Sequence, residues 1–268
     1  MSLPPFPSEQ PQQPQTPPPA STGDGVEIGR MPPRQVQVRI PQVKPTVTYI
    51  LLGVTTAIFV LQMASQYLLG EDYLIAFGAK VNSLIQQGQL WRFFTPALLH
   101  VSITHIAFNM YALFVIGRDL ERHYGHTRFA LLYVLGAFAG NVASFWMSTK
   151  PSAGASTALF GMIAAQGVFI YQNRKIFGTQ SARMLSNVIL VVVINLALGL
   201  SPGIDNWGHL GGLVGGVIFA FLAGPKLAVG GLYPDLTLVD HTESSRVYSV
   251  AALEAAGIAV VAWLGMIR

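Results

Sequence analysis

The sequence predicts an all-α polytopic membrane protein, with a core of six helices and one additional transmembrane helix towards the C-terminus. Three observations predict it. Of the 268 residues 51% are hydrophobic and 10% are charged, against about 25% charge in an average soluble domain; the mean hydropathy is +0.48. Seven apolar runs follow one another from Thr46 onward, separated by polar segments. The basic residues collect in every second of those segments, the pattern of membrane topology signals.

Other classes are excluded on the same ground. A pI near 9.4 fits a nucleic-acid binder, but the sixteen Lys and Arg residues are scattered between apolar runs and form no basic face, so no nucleic-acid partner is expected. The chain has no cysteine, which removes disulfides, thiolate metal sites and a cysteine nucleophile.

Residues 1–45 come first. Twelve of the seventeen prolines precede Thr46, mixed with Gln, Ser and Thr. Such a segment cannot bury enough apolar surface to offset its chain entropy, so a disordered, Pro-rich cytosolic tail of polyproline II character is expected. It lacks a basic region followed by an apolar one within itself, so no signal peptide is expected there. Its Pro-Gln-Gln-Pro spacing suits a proline-binding partner or, more simply, a plain tail.

The seven candidate spans are Thr46–Ser65, Ile103–Gly117, Phe129–Met147, Ser156–Tyr171, Met184–Leu200, Trp207–Ala223 and Val250–Ile267. With the tail cytosolic, the inside segments hold Arg30, Arg34, Arg39, Lys44, Arg118, Arg122, Arg128, Arg174, Lys175, Arg183, Lys226 and Arg246, and the outside segments only Lys80, Arg92, Lys150 and Arg268. Twelve against four predicts the N-terminus inside and the C-terminus outside. The six-helix core then covers residues 46–224, an irregular cytosolic loop residues 225–249, and the additional helix residues 250–268. Glu254, near the inner end of that helix, either snorkels to the surface or pairs with the core.

The external segment Gln66–Ser102 carries two apolar clusters, Tyr73–Phe77 and Leu90–Phe94, and is expected to be partly embedded. Trp91 beside Arg92 suits a headgroup interface with the guanidinium in water.

Several polar residues sit where lipid should be. His105 and Asn109 lie four residues apart on one helical face, with His100 upstream. Ser156 follows Gly154 at a helix start, and His209 lies in Gly208-His209-Leu210-Gly211-Gly212. Counted from the cytosolic helix ends at about 1.5 Å per residue, Ser156, His209 and His105 lie roughly 23, 21 and 18 Å up a core about 30 Å thick. A serine at a helix start either caps the helix or is a nucleophile beside free backbone N–H groups. Intramembrane His and Asn are either interhelical hydrogen-bond glue or functional. Three such helices at one depth favour function. Gly208, Gly212 and Gly216 form overlapping Gly-x-x-x-Gly steps that let a neighbour approach closely, for which the span with Gly154 and Gly161 is the candidate.

These pieces, Trp91-Arg92, His100, His105-x-x-x-Asn109, Glu121 with Gly125 and Arg128, Gly154-x-Ser156 and Gly208-His209-Leu210-Gly211-Gly212, resemble the rhomboid family of intramembrane serine proteases. The resemblance covers about residues 73–224. It implies a rhomboid-like core with a Ser–His dyad, Ser156 as nucleophile and His209 as general base and then acid. The Ser156 N–H with the His105 and Asn109 side chains would form the oxyanion hole, supported by His100 and Gly154, and Phe160 would pack on the base. It further implies transmembrane protein substrates reached from the lipid bilayer through movement of the fifth span; the sequence itself shows no convincing metal site, and no cofactor is expected. Asp205, four residues before His209, reads as a capping residue rather than a triad member. One position departs from the family pattern: Thr157 stands where a glycine usually follows the serine, and its β-branched side chain crowds the turn. The rival readings are a catalytically inactive rhomboid-like protein that binds membrane clients, and a transporter or channel, which would need polar groups reaching the inner leaflet. The expected location is a cell membrane, multi-pass; nothing in the sequence specifies an oligomeric state.

Overall fold

The computed structural model describes residues 42–232 and 236–268, so the expectations for the tail fall almost wholly outside the described residues. In chain order the helices are α1 (Thr46–Leu69), α2 (Tyr73–Gly78), α3 (Asn82–Gln86), α4 (Ile103–Ala112), α5 (Arg118–Tyr124), α6 (His126–Met147), α7 (Ser156–Gln172), α8 (Arg174–Phe177), α9 (Gln180–Leu198), α10 (Asn206–Ala223) and α11 (Ser244–Met266). Five of them, α1, α6, α9, α10 and α11, are long and apolar enough to cross a membrane. A π-helical turn, Leu113–Gly117, joins α4 to α5. Every apolar run of the sequence coincides with helix, as lipid demands of a backbone that must satisfy its own hydrogen bonds. The protein is an all-α, multi-pass membrane protein.

The centre is a trio, α6, α7 and α10. Thirteen of the seventeen residues of α7 are buried, and the core around Phe129, Leu132, Met162, Phe169 and Phe219 lies between these helices. The trio packs backbone to backbone. A Cβ on Gly212 would collide with the Thr157 carbonyl and one on Gly216 with that of Gly161, so the Gly-x-x-x-Gly row of α10 seats directly on α7. By contrast α9 buries only Met184, and α1 and α11 are peripheral.

Helix ends are satisfied from a distance. Pro45 gives α1 no side-chain cap; instead the buried Glu121 carboxylate accepts from Val47 N at 2.8 Å, Thr48 N at 2.7 Å and Thr48 Oγ1 at 2.6 Å. An anion at a helix N-terminus supplies the acceptors that its first N–H groups lack.

Two expectations are corrected. Arg92 does not reach water: it is buried, and its guanidinium donates to the Ala79 carbonyl at 2.6 Å and that of Ala76 at 2.8 Å. It closes the C-terminal end of α2, where cations complement unpaired carbonyls. Its neighbour Trp91 is part-exposed and stacks on Phe77 with centroids 5.2 Å apart. The segment 225–249 is not wholly irregular either. It holds an antiparallel hairpin, β1 (Leu227–Gly230) against β2 (Thr237–Asp240), in register Leu227↔Asp240 and Gly230↔Thr237. Arg128 of α6 ties it down through Asp240 and the Thr242 carbonyl. The last helix therefore begins at Ser244 rather than Val250.

Candidate active site

The site is built at the start of α7. Ala155, not Ser156, occupies the N-cap position, and no side chain caps this helix. Ser156 is the first helical residue, so its hydroxyl is free of the capping role. The hydroxyl oxygen lies 2.9 Å from His209 Nε2. The Gly seam explains why the two helices meet: with α10 seated on the α7 backbone, the fourth residue of α10 faces the first of α7.

His209 is held from its flat side. The Phe160 ring, one turn along from Ser156, stacks on the imidazole at 4.2 Å with 12° between planes. The other imidazole nitrogen, Nδ1, is buried with no hydrogen-bond partner. Asp205 is engaged elsewhere: one oxygen caps Gly208 N at 3.0 Å and the other accepts from Ser144. It is the α10 cap and stabilises the helix that carries His209.

The histidines from the other side converge. Gly154 has φ +143, and a Cβ there would lie 2.8 Å from His105 Nε2 and 3.7 Å from Ser156 Oγ. Only glycine fits this conformation and this approach without strain. His105 therefore comes up against the loop that delivers the serine. His100 is fully buried, its ring edge-on to His105 at 5.0 Å, with the Ala155 N–H directed at its Nε2 at 3.5 Å. Burial, and then the neighbouring His105, hold the His100 imidazole well below its ordinary pKa, in the neutral form that accepts this hydrogen bond. Asn109 lies one turn beyond His105 and is buried, with one amide hydrogen donated to the His105 carbonyl at 2.9 Å.

Ser156, His209, His105, His100 and Gly154 are thus brought together, with Asn109 on the same face of α4 as His105. Thr157 points away from this cluster. Its side chain fills the space left by glycines on two neighbours, since a Cβ on Gly140 would lie 2.6 Å from Thr157 Cβ and one on Gly208 3.0 Å from its Cγ2. The crowding expected of a β-branched residue is absorbed by α6 and α10, not by the turn at Ser156. Two supporting residues went unnoticed in the sequence. Gln62 of α1 is buried; its amide accepts from His100 N at 3.1 Å, donates to the His100 carbonyl at 3.1 Å and donates to Asp72 at 2.7 Å. A glutamine inside an otherwise apolar run was the available signal. The second is Lys80. Among the described residues no three His, Asp or Glu side chains group as a metal site.

The Rhomboid domain family model matches residues 87–226, more than half of the chain. The chain is 40% identical over 228 residues to Rhomboid protease GluP of Bacillus subtilis, covering 78% of this chain and 44% of that protein. Over 213 residues it is 30% identical to Rhomboid protease AarA of Providencia stuartii, covering 70% of this chain and 76% of that one. RHOMBOID-like protein 9, chloroplastic, of Arabidopsis thaliana is 34% identical over 157 residues, 58% of this chain and 36% of its own. The chain spans less than half the length of the first and third of these relatives.

Proposed function

The chain belongs to the rhomboid family, and from that premise we propose that it is an intramembrane serine protease that hydrolyses peptide bonds in or near transmembrane segments of other membrane proteins. The observation that carries the proposal is the 2.9 Å approach of Ser156 Oγ to His209 Nε2, hydrogen-bond reach for a nucleophile and its base.

The steps follow from the groups in place. Neutral His209 takes the hydroxyl proton on Nε2 as Ser156 Oγ bonds to the scissile carbonyl carbon. The resulting oxyanion lies by the free N–H groups at the uncapped start of α7, with the His105 ring and the second Asn109 amide hydrogen as further donors; such preorganised donors stabilise charge as it develops. Collapse breaks the C–N bond, and His209 returns its proton to the leaving amine. A water, deprotonated by the same imidazole, then attacks the acyl carbon; the C–Oγ bond breaks and His209 returns the proton to Ser156 Oγ. With Nδ1 unpartnered, orientation of the base falls to the stacked Phe160 rather than to a carboxylate. The loosely packed α9, buried only at Met184, is the element a substrate helix would displace. The proposed setting is a cell membrane with the N-terminus cytosolic and the C-terminus external, an orientation that the charge asymmetry supports.

The test is cleavage of a model single-span protein by wild type, Ser156→Ala and His209→Ala, with labelling by a serine-directed fluorophosphonate alongside. Both substitutions are expected to abolish cleavage. Folded wild type that neither cuts nor labels would instead support an inactive, client-binding relative.

A further inference from the structure

The external segment between α1 and α4 contains a buried cation. Lys80 is fully buried, and its ammonium donates to the carbonyls of Lys150 at 2.8 Å and Ser148 at 3.0 Å, with Ser144 at 3.4 Å and Asn82 Oδ1 at 3.1 Å completing the shell. Ser144 and Ser148 close the C-terminal turn of α6, a 22-residue helix, where a positive charge meets the carbonyls of the last turn and the negative end of the helix dipole.

The backbone of the same residue extends this hold. Lys80 N donates to the Ser152 carbonyl at 2.9 Å, and Ser152 N donates back to Lys80 O at 3.1 Å. Asn82 adds amide bonds to the Phe145 carbonyl at 2.9 Å and the Ser148 carbonyl at 3.1 Å. Downstream, Gly154 N is taken by the Pro96 carbonyl at 2.8 Å and Ala155 N faces His100. The whole link from α6 to Ser156 is therefore moored to residues 80–100, and its first half to Lys80. The neighbouring cations are placed otherwise: the Lys150 side chain is exposed, Arg92 is committed to Ala76 and Ala79, and Arg268 lies over the Trp146 ring.

We propose that Lys80 is a positioning residue, whose ammonium sets the path of residues 148–155 and so the placement of Gly154 and the Ser156 N–H. The charge is required, because a neutral amine has two N–H bonds for four acceptors while an ammonium has three, and charged donors bind about twice as strongly as neutral ones.

The geometry also makes the device sensitive to pH. Burial pushes the Lys80 pKa down to about 8, with Asp205 working in the opposite direction. Around the ammonium, α6 offers neutral Ser144, α3 neutral Asn82 and the α10 cap the carboxylate of Asp205, itself held by Ser144 and Gly208 N. Lys80 is the group whose charge changes in mildly alkaline conditions.

This inference rests on Ser156 being the nucleophile, and the experiment separates the two. Full-length wild type, Lys80→Arg, Lys80→Met and Ser156→Ala are reconstituted, and fluorophosphonate labelling rate and cleavage of a single-span substrate are measured from about pH 6.5 to about 9.5. Lys80→Met is expected to lower kcat about 10- to 100-fold at neutral pH with KM little changed, since small misplacements of catalytic groups cost this much. Wild type is expected to lose activity above about pH 8, and Lys80→Arg, which keeps its charge, to lack that alkaline limb. Lys80→Met equal to wild type, or the same alkaline limb in wild type and Lys80→Arg, overturns the inference. So does a wild-type profile that stays flat to the alkaline end. If Lys80→Met does not fold, the wild-type and Lys80→Arg profiles decide alone. Folded wild type that is unlabelled at every pH overturns the reading of Ser156 and the inference with it.

Discussion

The Phe160 ring lies flat on the His209 imidazole, 4.2 Å between centroids and 12° from parallel. With no partner on His209 Nδ1, this face is what restrains rotation of the imidazole. Phe160→Tyr, which keeps the ring, is expected to retain cleavage within about threefold. Phe160→Leu keeps apolar bulk but not the flat surface, and is expected to lower kcat about tenfold with KM little changed, the mark of a misaligned rather than absent group. Steady-state kinetics on a single-span substrate separates the two parameters.

Thr157 and Gly140 share one space. A Cβ at Gly140 would stand 2.6 Å from Thr157 Cβ and equally close to the Gly208 carbonyl. Gly140→Ala is therefore expected to destabilise the protein by about 1–3 kcal/mol, as overpacking does. Adding Thr157→Gly should recover part of that loss, because one of the two clashes disappears. Thr157→Gly alone should leave fluorophosphonate labelling of Ser156 within about threefold, since its side chain faces the α6–α10 seam and not the hydroxyl. Thermal unfolding in detergent measures the first two outcomes, and a labelling time course the third.

Asp205 distinguishes a dyad from a triad. Loss of a true triad carboxylate costs about 10⁴ in kcat, but here the carboxylate caps Gly208 N and accepts from Ser144. Asp205→Asn keeps an acceptor for the cap and is expected to reduce kcat by less than about tenfold, through helix and loop placement rather than proton transfer. A loss near the triad figure, with the fold intact, would contradict the assignment.

What the sequence made legible, and what it did not, divides along local and non-local lines. The spans were legible because an apolar run in lipid has no stable alternative to helix. The pairing of Ser156 with His209 was legible from equal depth and from the Gly208, Gly212 and Gly216 row, since small residues mark where helices touch. Arg92 and Lys80 were not legible. A cation in a polar loop reads as solvated until the carbonyls that surround it are known. Those around Lys80 arrive more than sixty residues later, at Ser144, Ser148 and Lys150, and those around Arg92 come from a six-residue helix too short to announce itself by period. The hairpin has strands of only four residues, and it depends on the tertiary tie from Arg128. Residues 233–235, between its strands, lie outside the described part of the chain.

Glu121 carries the clearest acid dependence. Its carboxylate is buried and accepts from Val47 N, Thr48 N, Thr48 Oγ1 and His126 Nδ1. Burial works to raise its pKa, but the hydrogen bonds from Thr48, His126 and Val47 together outweigh it, so the net shift is below the ordinary 4.5. A carboxylate depressed in the folded state binds its proton more weakly there than in the unfolded chain. Its contribution to stability is therefore complete above the ordinary value and is lost as pH falls below about 4.5. The Tm of wild type is expected to fall on acidification through that window. Glu121→Gln turns an amide towards donors that need an acceptor, so it should cost about 1–3 kcal/mol at neutral pH and flatten the acid limb. A Glu121→Gln protein with the wild-type Tm at pH 7, or with an unchanged acid limb, would place the acid sensitivity elsewhere and leave the α1 N-terminus without the cap assigned to it.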